Sequence, residues 1–329
     1  MRSAPLTDFR TDASLLAPPL AHVRGCSCAL HSRRLFTGLV AAGALGAAAP
    51  GLALAQQPAA ATDEGVRRDV GKESKFTRLV PAEQVEQAAA QQYAQMLKQA
   101  AQQRGLAPDS HPQVQRLRYI AQRLVPFAQP WNERSRQWRW EVNLLGSKDL
   151  NAFCMPGGKI AFYFGILAQL QLTDDEVATI MGHEIAHALR EHARERMGKT
   201  AATRIGAGAL SALLGLGSAG DTLLNMGGQL LTLKFSREDE SEADLIGIEL
   251  AARAGYDPRA GVTLWQKMAE ASKGAPPQFL STHPTGPTRI RDIEANIPKV
   301  QGLYDRAERP AQRFGPPKPA AAAAKSGGG

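Results

Sequence analysis

The spacing of apolar positions changes several times along the chain. Residues 81–104 are strong helix formers behind Pro81, and Gly105 closes them, which predicts a helix. A second helix is predicted at 112–128, with Val114, Leu117, Ile120, Ala121 and Leu124 on one face. The period then drops to two. Residues 138–145 alternate as a strand does, 151–155 form a short strand candidate, and 159–164 form another after the turn Pro156-Gly157-Gly158. Helical spacing returns at 166–171 and at 174–195, where Thr173 and Glu176 stand in capping-box register. Residues 205–233 are rich in Gly and Leu and broken at Gly215, Gly217 and Gly227-Gly228. Further helices are predicted at 229–254, 257–272 and 286–297, with a Pro- and Thr-rich loop at 274–285. The pattern predicts an α+β fold, mainly α, with a small sheet of about three strands.

Composition narrows the classes. The chain has 329 residues, of which 43% are hydrophobic and 21% charged, so it can bury a core and is not wholly disordered. Residues 32–55 read as a secretory signal. Arg33 and Arg34 precede an uncharged Ala/Gly/Leu stretch that ends Ala53-Leu54-Ala55, and the arginine pair is of the twin-arginine export type. Cleavage there would remove five Arg and two Asp, lowering the net charge from +8 to +5. No basic stripe interleaved with aromatics marks a nucleic-acid surface. Cys26 and Cys28 would leave with the signal, so Cys154 would have no partner for an intramolecular disulfide. The expected organisation is a signal at 1–55, a linker at 56–76, one domain at 77–307 and a disordered tail at 308–329.

The candidate chemistry sits at residues 183–187, His-Glu-Ile-Ala-His. In a helix the two histidines lie one turn apart on one face, so both can offer a ring nitrogen to one metal ion. Glu184 is one step round and within reach of a water at that ion. Two ordinary histidines on a surface helix would share the spacing. However, Ile180 shares the face of His183 and His187, and Val177, Met181 and Ala188 share that of Glu184, so the motif projects from the buried side. Buried imidazoles and a buried carboxylate need partners, and zinc supplies one.

A catalytic zinc takes three protein ligands and one open position. Residues 236–244 hold five acids. Glu240 and Asp244 share a face with Ala243, Gly247 and Ala251, small residues that let two helices approach closely. Glu238, Glu242 and Glu249 fall on the solvent side, and a plain solvated face also fits Asp239. Glu240 is therefore the candidate third ligand. Asp244, one turn on, is placed to accept the second ring N–H of a zinc-bound histidine.

Gly182-His-Glu-Ile-Ala-His187, Ser236-Arg237 and Glu240-x-x-Ala243-Asp244 together resemble the HtpX/BepA-like gluzincins, the CAAX-prenyl-protease-like zinc metallopeptidases, and among them the soluble exported members. Asn151-Ala152-Phe153-x-x-Pro156-Gly157-Gly158 is similar to the family's edge strand and turn. Thr282-His283-Pro284, followed by Arg289, is similar to its downstream motif. The likeness covers about residues 110–300. It implies a zincin-like domain with an HExxH active-site helix and one zinc ion held by His183, His187 and Glu240. Glu184 would take and return the proton. His283 would reach the site, either to stabilise the oxyanion or to take the open metal position at rest. Arg289 would brace that loop through a carboxylate. Asn151, Ala152 and Phe153 would bind an extended peptide by strand addition. Cys154 departs from the family, which often has a small residue there, and reads as a core residue. His192, in the charged run 190–196, is expected at the surface, and His111 at a helix start.

The function expected is a zinc-dependent endopeptidase of the periplasm that acts on unfolded or misassembled envelope proteins. The alternative is a chaperone-like periplasmic binding protein with a latent zinc site. Contact with a membrane surface is a further expectation, and residues 205–233 read either as a lid or flap over the cleft or as a helical hairpin on the core.

Overall fold

The computed structural model describes residues 65–204, 230, 233–273, 277–284 and 288–318. The expected signal at 1–55 and nearly all of the 205–233 stretch, with its lid and hairpin readings, lie outside the described residues.

Helix α1 (Ala82–Gln102) follows Pro81, and α2 (Pro112–Leu124) is capped by His111, whose ring accepts the N–H of Gln113. The expected apolar stripe of α2 is buried throughout. The helix ends earlier than residue 128 because Pro126 has no N–H to continue the ladder, and a 3-10 turn spans Val125–Phe127.

Strands β1 (Glu141–Leu145), β2 (Ala152–Met155) and β3 (Lys159–Tyr163) form one sheet in the order β1-β3-β2. β1 runs parallel to β3, with Val142 beside Ile160 and Leu144 beside Phe162. β2 and β3 form a hairpin whose turn needs Gly157 and Gly158 at φ 82° and 77°. β2 is therefore an edge strand, as the family resemblance implied.

Helix α3 (Phe164–Gln169) leads into α4 (Asp174–Leu189). The expected capping box closes the start of α4: Thr173 accepts from the Glu176 N–H, and Glu176 accepts from the Thr173 N–H. Buried Arg116 of α2 ties down the same end, pairing with Asp174 at 2.6 Å and donating to the Leu172 carbonyl. α4 is the hub of the fold: it packs on α2, on β2, on α6 (Arg237–Arg253) and on α7 (Ala260–Ala271).

Several boundaries differ from expectation. The helix predicted over 174–195 is two helices. α4 stops at Leu189, Glu191 turns the chain at φ 56°, and α5 (His192–Arg204) starts afresh. α6 begins at Arg237 rather than 229, because Ser236 and Asp239 form a second capping box. The expected loop 274–285 contains a short helix, α8 (Gln278–Thr282), and the last helix, α9 (Arg289–Arg306), runs past 297.

Both expected flexible ends are partly packed. Within the expected linker, Val66 is fully buried and donates its N–H to Glu249 at 2.7 Å. Within the expected tail, Phe314 donates its N–H to Asp174 at 2.7 Å and Arg313 pairs with Asp175 at 2.8 Å.

Candidate metal centre

The two helices that carry the candidate ligands touch backbone to backbone. A Cβ on Gly182 of α4 would lie 2.8 Å from the carbonyl oxygen of Gly247 in α6, and one on Gly247 would lie 2.8 Å from the amide nitrogen of His183. Only glycine at both positions allows this approach. It sets the His183–His187 face of α4 opposite the Glu240–Asp244 face of α6, as helical phase predicted.

Four ligand atoms, one each from His183, His187, Glu240 and His283, lie within 4.8 Å of one another, and all four residues are buried. The Nε2 atoms of His183 and His187 are 3.1 Å apart. Glu240 stands 3.7 Å from the first and 3.4 Å from the second. His283, the residue after α8, brings its Nδ1 to 3.4 Å from His183 and 3.0 Å from Glu240. Bonds of 2.0–2.1 Å to a tetrahedral zinc put ligand atoms about 3.4 Å apart, so these separations suit that ion.

The donor set passes a second test. Oε2 of Glu240 and Oε1 of Glu184 are buried without a hydrogen-bond partner. A buried acceptor without a hydrogen bond costs free energy; the charge of Arg289, 2.7 Å from Oε2 of Glu240, offsets part of that cost, and a cation at the centre of the cluster would offset more. These residues fit a zinc ion.

Charge is arranged in layers round the cluster. Asp244 accepts from Nδ1 of His183 at 3.0 Å and is clamped by Arg289 at 2.5 and 2.9 Å. Arg289 also sets its Nη1 2.7 Å from Glu240, off the hydrogen-bonding direction, and lies over the Trp265 ring at 3.4 Å. Burial would raise the Asp244 pKa, but Arg289 and His183 outweigh it and hold the carboxyl low. Glu184 behaves oppositely. Burial pushes its pKa up against the pull of His283 and His183. Burial likewise drives His187 far down, keeping its ring neutral as a metal ligand requires.

The residues singled out from sequence fall as follows. His183, His187, Glu240, Asp244, His283 and Arg289 meet in one cluster, with Glu184 beside it: its Oε1 is 3.6 Å from Nε2 of His283. Ala152 and Phe153 lie on β2, and Asn151 immediately precedes it. With His187, Phe235 and His283 they line a cleft of only about 60 Å³. A larger cavity of about 560 Å³ lies away from the cluster, between Arg123, Arg253 and Leu303, and no candidate ligand lines it. Cys154 is a buried residue on β2, as expected.

Four expectations need correction. His192 is not at the surface: it is 2% exposed, and its Nδ1 lies 2.9 Å from Nδ1 of His187. The charged run 190–196 hid this, since it reads as a solvated turn. Glu249 is fully buried, held by Val66 and Arg253. Asp239 is buried as the partner in the Ser236 capping box. Glu242 is half-buried and pairs with Arg190 at 2.9 Å. Sequence reasoning also missed the aromatic walls. Phe235 stacks on His187 at 4.0 Å and Phe279 on His283 at 4.3 Å. Only their closeness in sequence to Ser236 and His283 pointed to them.

The model of Peptidase family M48 matches residues 111–297. The chain belongs to peptidase family M48. Metallopeptidases of this family are zinc-dependent, which agrees with the donor set. Three relatives illustrate the range. Mitochondrial metalloendopeptidase OMA1 of Schizosaccharomyces pombe is 35% identical over 199 residues, 60% of this chain and 56% of that protein. Metalloprotease LoiP of Escherichia coli is 31% identical over 150 residues, 45% of this chain and 58% of that protein. A putative beta-barrel assembly-enhancing protease of Vibrio cholerae is 33% identical over 159 residues, 45% of this chain and 33% of that protein. The chain thus spans between about a third and three fifths of the length of these relatives. The family match supports a mainly helical, zincin-like peptidase domain. Among the described residues no helix is long and apolar enough to cross a membrane.

Proposed function

We propose that the protein is a zinc metalloendopeptidase that cleaves unfolded or misassembled proteins of the bacterial envelope. One observation carries the chemical part: the Glu240 carboxylate lies 3.4–3.7 Å from the Nε2 atoms of both HExxH histidines. His183, His187 and Glu240 would hold the ion. Zinc, when bound, supplies a Lewis acid that polarises the scissile carbonyl and makes water a nucleophile near neutral pH. Glu184 would then take a proton on Oε1, an atom with no other hydrogen-bond partner, and pass it to the leaving amine. Asp244 and Arg289 would hold the His183 ring and the Glu240 carboxylate in place.

His283 stands at the fourth corner of the cluster, with its other nitrogen toward Glu184. It would close the site at rest and would have to give way to substrate. The narrow cleft beside β2 supports this, since about 60 Å³ does not admit a peptide. The outer edge of β2 would then take the substrate as an added strand, along Asn151, Ala152 and Phe153. The metallopeptidase domain would span 77–307, with packed extensions on both sides.

The E184Q protein should keep one zinc ion per chain and lose cleavage of unfolded casein by about 10²- to 10⁴-fold. Full cleavage by E184Q would remove Glu184 from the mechanism, and wild-type cleavage that survives a chelator would remove the metal. The twin-arginine pattern supports periplasmic location. In fractionated cells the protein should then appear in the periplasm with its N-terminus just after Ala55, and a cytoplasmic full-length chain would overturn that reading.

A further inference from the structure

The two ring nitrogens of a metal-binding histidine have different tasks. One faces the ion, and the partner of the other decides where the ring proton sits. His183 has Asp244 for this purpose. Among the described residues no carboxylate hydrogen-bonds Nδ1 of His187. That nitrogen instead meets Nδ1 of His192 at 2.9 Å, with both rings buried.

This contact depends on a break in the helix. In an uninterrupted helix, residues five apart point about 140° away from each other. Here α4 ends at Leu189, and Glu191 takes a left-handed conformation at φ 56°. Residues other than glycine seldom adopt that conformation. The turn swings the start of α5 back, so that His192 meets the rear of His187 with ring centroids 5.0 Å apart. Phe235, stacked on His187 at 4.0 Å, limits the ring's rotation.

We infer that His192 is a positioning residue for the metal centre: its Nδ1 accepts the Nδ1–H of His187 and fixes the tautomer whose bare Nε2 faces the ligand cluster. Two ring nitrogens at this distance share one proton, so one must donate and the other accept. For His187 to offer Nε2 to a metal it must donate from Nδ1. His192 must then accept on Nδ1 and carry its own proton on Nε2. That nitrogen points at Oε2 of Glu242, 3.4 Å away. Glu242 is held in turn by Arg190 at 2.9 Å and by the N–H of Gly71 at 3.1 Å. Every proton in the chain His187–His192–Glu242 then runs outward, toward the carboxylate.

The inference rests on His187 being a metal ligand, and the test separates the two. Zinc dissociation constants are measured by chelator competition for wild type, His192→Leu and His192→Asn. Leucine fills the space without an acceptor, whereas asparagine places an oxygen near the position of Nδ1. His192→Leu should weaken zinc binding about tenfold or more, and His192→Asn should restore it to within about threefold of wild type. Nitrogen-15 NMR of the zinc-loaded wild type should show the His187 proton on Nδ1. Equal affinity in His192→Leu, no recovery in His192→Asn, or a proton on Nε2 of His187 overturns the inference. If His192→Leu does not fold, the NMR signature of the wild type decides alone. A wild-type protein that binds no zinc sinks the metal reading instead.

Discussion

The two histidines of α4 are held from behind in unlike ways. Behind His183 stands a charged assembly drawn from three later elements: Asp244 of α6, Arg289 of α9 and Trp265 of α7. It is buried, and each carboxylate in it has the arginine as its counter-charge. Behind His187 stand a neutral contact with His192 and a stacked Phe235, and the nearest charges, Glu242 and Arg190, are only part-buried. The first support is strong and long-range, and the second is local, made by one turn between consecutive helices. A buried network contributes little net stability while complete but is costly to break, whereas a local hydrogen bond between neutral rings is modest either way.

The largest effect should therefore come from the His183 side. Arg289→Leu leaves the buried carboxylates of Asp244 and Glu240 without their cation, a loss of about 3–5 kcal/mol. In the metal-free protein the unfolding midpoint should drop on the order of 10 °C. Zinc should recover part of the loss, because it would neutralise Glu240. Calorimetry with and without zinc checks this. A midpoint within about 2 °C of wild type would mean that the network is not the anchor its burial suggests.

The same contrast explains what could be read from sequence. Helical phase within single helices was enough to put His183 with His187, and Glu240 with Asp244 and Gly247. The small residue at Gly247 then implied the close helix pair, which the Gly182–Gly247 contact confirms. The small sheet followed from the change of period at residue 138 and the glycine turn at 157–158, whereas the edge position of β2 was implied only by the family resemblance. Tertiary partners were less legible. Arg289 and His283 were named only through resemblance to a family, since nothing local ties residues 45 or more positions downstream to Asp244 or His183. His192 was misplaced because the charged run around it reads as solvated, and no local pattern announces the left-handed Glu191 that turns it inward. Glu249 was misplaced for a related reason. Its partner, the Val66 amide, lies 183 residues away in a stretch that reads as linker.

A smaller and sharper test sets the two supports against each other. Asp244→Asn keeps the shape of the side chain and an oxygen that can accept from Nδ1 of His183, but it removes the charge. Arg289 keeps its ion pair with Glu240, so the loop after α8 should stay anchored. What changes is the basicity of the His183 ring, because a carboxylate polarises an imidazole N–H far more than an amide does. Zinc affinity should fall by about 10- to 100-fold. The same measurement on His192→Leu should give a loss near the tenfold end of that range, since a neutral ring polarises the imidazole N–H less than a carboxylate does. If the two losses come out equal, charge behind the ligand is not what distinguishes the two histidines. The chain through His192 to Glu242 would then deliver as much of the carboxylate's effect to His187 as Asp244 delivers directly to His183.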